Sequence, residues 1–63
     1  MSQREKMREL FARNGRNEDR TIAAYAAAER AGQVKRESND YKLSAEEYAE
    51  RLLADGFRKG WLR

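Results

Sequence analysis

The side chains here whose types and spacing could do chemistry are basic, and many of them fall into three groups. Arg13, Arg16 and Arg20 bracket an Asn-Gly turn, Lys35 and Arg36 follow Gly32, and Arg58, Lys59 and Arg63 alternate with Phe57 and Trp61. Guanidinium and ammonium groups neutralise phosphate, and rings set among them can stack on unpaired bases. Arg13, Arg16, Arg20, Lys35 and Arg36 are therefore candidate nucleic-acid contacts, provided the two connections carrying them lie at neighbouring ends of a bundle. Phe57, Arg58, Lys59 and Trp61 are candidate anchors for a protein partner, because interface hot spots favour aromatic side chains and Arg. In so small a chain, Phe57 and Trp61 are wanted first by the core.

Several chemistries drop out. The chain has no Cys and no His, which removes disulfides, thiolate nucleophiles, imidazole bases and the usual zinc ligand sets. Glu46 and Glu50 stand one turn apart and with Asp40 could face a hard cation, but they read as a solvated helix face, so no metal is assigned. The one Gly-linked turn into a helix, Gly15-Arg16-Asn17, is followed by Glu18 and Asp19, whose charges repel a phosphate there. No cofactor and no enzymatic activity are expected. No apolar run is long enough to span a bilayer, and the first residues lack a secretory stretch, which points to the cytoplasm and away from membranes.

Positioning these groups falls to helices. Ser2-Gln3-Arg4-Glu5 has capping-box form, Met7, Leu10 and Phe11 follow at helical spacing, and Asn14-Gly15 can end the run, giving a helix over residues 3 to 13. Asn17 caps a second helix over 18 to 31, which is rich in Ala and reaches Gly32. A connection from 32 to 42 follows, with a short extended piece at 33 to 36. Ser44-Ala45-Glu46-Glu47 is a second capping box, with Leu43 before it and a Glu47–Arg51 pair four residues apart. Asp55-Gly56 is read as the end of a third helix over 45 to 54, with Phe57 folding back on Leu52. A helix-turn-helix reading through Ala28 and Gly32 fails, because residues 36 to 40 offer nothing apolar to pack.

The predicted fold is all-α: one small domain over residues 1 to 63, three helices, a long connection between the second and third, and an apolar C-terminal tail. Its core is Leu10, Phe11, Ile22, Tyr25, Leu43, Tyr48, Leu52 and Leu53, with Trp61 substantially buried. For 7.4 kDa, surface scaling gives roughly 4,200 Å² of folded area, so the core is lean and a second copy could complete it. Two functions fit this composition. The leading one is a small non-enzymatic nucleic-acid-binding or regulatory protein with mainly phosphate contacts. The alternative is a protein-interaction module that uses a helix face or the Trp61 tail.

Overall fold

The computed structural model describes residues 2–37 and 41–62. It contains three helices, α1 (Gln3–Arg13), α2 (Glu18–Arg30) and α3 (Ala45–Lys59), and no strand among the described residues. The predicted all-α fold is the observed one, and the folded surface of 4306 Å² is close to the value expected from mass.

Each helix begins where a side-chain oxygen can replace the missing backbone acceptor. Ser2 Oγ accepts from the Glu5 amide at 3.2 Å, Asn17 Oδ1 from the Arg20 amide at 3.0 Å, and Ser44 Oγ from the Glu47 amide at 3.2 Å. At α3 the return bond is also made, from the Ser44 amide to the Glu47 carboxylate at 3.1 Å. That carboxylate is thereby bonded within the cap, and the charge of Arg51, four residues on, further favours its ionised form. Between α1 and α2 the chain reverses through two consecutive left-handed residues, Gly15 at φ +64° and Arg16 at φ +63°. The Arg16 amide donates to the Phe11 carbonyl at 2.8 Å, closing the turn.

The end of α3 differs from the sequence reading. Asp55-Gly56 does not stop the helix, which runs on to Lys59 and ends at Gly60 in the left-handed conformation at φ +80°. Gly56 instead makes room for the tail, since a Cβ there would sit 2.7 Å from Leu62 Cβ and 3.1 Å from Trp61 Cη2. Its bare backbone lets the tail fold back on the helix, and the Leu62 amide donates to the Gly56 carbonyl at 3.2 Å. Phe57 is consequently a helical residue that meets Phe11 edge to face, and does not fold back on Leu52.

The core joins Met7, Leu10 and Phe11 of α1, Tyr25 and Ala28 of α2, and Tyr48, Ala49, Leu52 and Leu53 of α3, with Val34 and Leu62 inserted from the connection and the tail. Of the expected core, Ile22 and Leu43 are only partly buried, and Trp61 packs partly buried against its edge. Val34 is held inside by turns and bends, not by the short extended piece expected at 33 to 36. Thr21 is fully buried because its hydroxyl is satisfied internally, donating to the Asn17 carbonyl at 2.7 Å. Ser38, Asn39, Asp40 and Arg63 lie outside the described residues, so the turn read at 38 to 40, the Asp40 carboxylate and the last cation of the tail are not placed.

Candidate nucleic-acid interface

The basic residues singled out in the sequence do not assemble as one group. Arg20 is in the first turn of α2, whereas Lys35 and Arg36 follow its last turn. From Arg20 to the last residue of α2, Arg30, ten residues at 1.5 Å each put about 15 Å of helix axis between the two sets. Arg13 and Arg16 belong with Arg20, at the end of α1 and in the turn.

Arg36 faces inward. Its side chain is only 7% exposed, its Nε donates to Glu29 Oε1 at 2.7 Å, and its guanidinium lies 4.7 Å from the Tyr48 ring centre. Around it, Gln3 Oε1 accepts from the Tyr48 hydroxyl and from the Glu37 amide, tying the start of α1 to the connection and to α3. Burial beside Tyr48 and Glu29 pushes the Tyr25 phenol well above its ordinary pKa. Lys35, by contrast, is exposed. In the tail, Arg58 and Lys59 both reach Asp55, at 2.8 and 3.4 Å. The Arg58 hydrogen bond, with Lys59 beside it, holds the Asp55 carboxyl below its usual range. Arg30 engages Glu46 across the α2–α3 contact and lowers that carboxyl likewise. Glu46 is therefore occupied by a guanidinium, and the described residues contain no cluster suited to a metal ion.

A different face emerges along α1. Lys6, Glu9 and Arg13 share one stripe, where the Glu9 carboxylate takes Arg13 at 2.7 Å and Lys6 at 3.8 Å. Arg4, Arg8 and Phe11, spaced i, i+4 and i+7, share another. Arg4 lies over the Trp61 ring at 5.3 Å, Arg16 over the Phe11 ring at 5.9 Å, and Phe57 meets Phe11 at 5.5 Å with the rings 81° apart. Arg4, Arg8, Arg16 and Arg20 are exposed and form no salt bridge among the described residues. Packing thus joins the basic turn to the aromatic tail, two groups that are far apart in the sequence.

Charge is concentrated on the same element. The first sixteen residues hold five basic side chains, Arg4, Lys6, Arg8, Arg13 and Arg16, against two acidic ones, Glu5 and Glu9. The other 47 hold nine of each, so the whole formal excess resides on α1 and its turn. Arg4 and Arg8 were missed in the sequence because they stand alone until a partner helix supplies the rings. Their signal was the i, i+4, i+7 register with Phe11.

No protein-family model matches this chain, and comparison with curated proteins and with solved structures finds no significant similarity to either. The class defined by the fold is a small three-helix all-α domain, and no helix among its described residues is long and apolar enough to cross a membrane.

Proposed function

We propose that this protein is a small, non-enzymatic nucleic-acid-binding protein of the cytoplasm that contacts phosphates with α1 and the α1–α2 turn. One observation carries the reading: the entire positive excess lies on the first sixteen residues, where Arg4, Arg8 and Arg16 are exposed and held in no salt bridge among the described residues. Exposed guanidinium groups of one sign are what a phosphate backbone recruits, with release of its counterions. Arg16 adds support, because it occupies a left-handed position at φ +63° that Gly or Asn would fill at lower cost. Arg20 extends the patch onto α2, and Arg13 can join it by exchanging Glu9 for phosphate. Lys35 lies at the other end of α2, and Arg36 serves the interior.

The alternative, a protein-interaction module, draws its support from Phe57, which is 43% exposed. Its other expected anchors are less available, since Arg58 and Lys59 share Asp55 and Trp61 packs on Gly56.

Titration of a labelled mixed-sequence duplex at several salt concentrations tests the reading. Four phosphate contacts give a log–log slope of about −3.6, and each of Arg4→Gln, Arg8→Gln and Arg16→Gln should reduce it by about one. Arg16→Gly should lose affinity in the same way while keeping its stability. Absence of binding at low salt to the duplex and to a single strand alike would overturn the proposal and favour the interaction module.

A further inference from the structure

We infer that the nucleic acid this face takes is single-stranded, with one base stacked on Phe57. The inference rests on the phosphate-binding reading above and adds to it the class of strand.

A duplex offers a protein its phosphates and groove edges, but its base faces are closed to side chains. A single strand offers phosphates and open base faces together, and proteins that hold it combine a cationic track with aromatic platforms. The α1 face supplies both. Phe57 is one of only two large apolar side chains left substantially exposed among the described residues. Its edge-to-face contact with Phe11 covers at most one face of the Phe57 ring, whichever ring presents its edge, and the residue as a whole is 43% exposed. Phe11 carries the Arg16 guanidinium on the same cluster, so a base on Phe57 and a phosphate on Arg16 lie within one contact network. The other exposed ring, Tyr41, has a different setting: its neighbouring cation, Arg36, is turned inward to Glu29.

Charge also sets the direction of the strand. Glu50 lies on the same side of α3 as Phe57, two turns toward its N-terminus, is exposed, and would repel phosphate there. Along α1, by contrast, the stripe from Arg16 through Phe11 to Arg8 and Arg4 is basic and aromatic. The strand is therefore expected to follow α1 and not α3, touching α3 only at its C-terminal end, where Phe57 projects.

Fluorescence anisotropy with labelled dT12 and with a 12-base-pair duplex, each at two salt concentrations, tests this directly. The wild-type protein should bind dT12 more tightly than the duplex. Phe57→Leu keeps an apolar side chain against Phe11 but has no flat face. It should weaken dT12 binding roughly 5- to 100-fold with an unchanged salt slope, and Phe57→Trp should restore binding. Circular dichroism melting of both variants confirms that the fold persists. If wild-type binding is salt-steep but Phe57→Leu leaves dT12 affinity intact, or the duplex binds as well as dT12, the stacking inference falls and the phosphate reading stands. If neither strand form binds at low salt, both fall.

Discussion

Two arginines show how surroundings decide what a cation does. Arg16 stands in solvent over the Phe11 ring, in a backbone conformation that costs energy; it is available to an incoming anion. Arg36 is withdrawn from solvent and bonded to Glu29, whose own side chain is 16% exposed. Taking two charges out of water is repaid only while both remain, so removing one partner leaves the other stranded. Arg36→Ala should therefore lower stability by about 2 to 4 kcal/mol, read from the urea midpoint, since the pair is nearly but not wholly buried. Because Glu29 and Arg36 neutralise each other, changing both to Met should recover much of that loss. The salt slope for nucleic acid should not move in the double variant. A shift in that slope would place Arg36 in the phosphate track after all.

At the level of elements, α3 gives the sharpest test. Replacing a helix-interior Gly with Ala ordinarily gains up to about 1 kcal/mol through propensity. At Gly56 the new methyl would meet Leu62 Cβ at 2.7 Å, closer than carbon atoms approach, and the tail must move away. Gly56→Ala should instead destabilise by about 1 to 3 kcal/mol and expose Trp61, shifting its emission to the red. The same residue explains what the sequence could and could not reveal. Local rules placed all three helix starts, because Ser2, Asn17 and Ser44 are capping side chains acting on amides a few residues away. They also placed the end of α1, where Asn14 and Gly15 turn the chain. Gly56 misled because a glycine after Asp reads the same whether it caps a helix or makes room for a tail six residues on. Val34 was likewise illegible as core, since an isolated apolar residue outside a periodic stripe reveals its burial only through tertiary contacts. The candidate face followed the same rule. Arg13, Arg16 and Arg20 were visible as a cluster, and Phe57 with Trp61 as another, but only the docking of α3 and its tail on α1 joins them through Phe11 and Arg4.

For the whole molecule, these ionisations bound the pH range in which the fold is most stable. Glu46, Glu47 and Asp55 have carboxyls held below their ordinary values, chiefly by Arg30, by the Ser44 amide and by Arg58 respectively. In acid the unfolded chain binds protons that the native state refuses, so the stability these groups contribute is present at neutral pH and is lost as pH falls below about 4. All three are solvent-facing, and that acid limb should be shallow. Tyr25 acts in the opposite sense. Its ring is fully buried and its hydroxyl has no partner among the described residues, and desolvation raises its pKa. Above about pH 10 the unfolded chain releases a phenolic proton that the native state keeps, so stability must decline as pH rises. Tyr25→Phe separates these limbs. It removes a buried, unpaired hydroxyl while keeping the ring that packs 6.4 Å from Tyr48, so neutral-pH stability should be retained or rise, because no hydrogen bond is lost. The alkaline limb of a urea-midpoint profile from pH 3 to 11 should flatten in this variant, and its acid limb should not change. A marked loss of stability at neutral pH would instead mean that the Tyr25 hydroxyl is bonded in solution, by water or by the neighbouring Glu29 carboxylate.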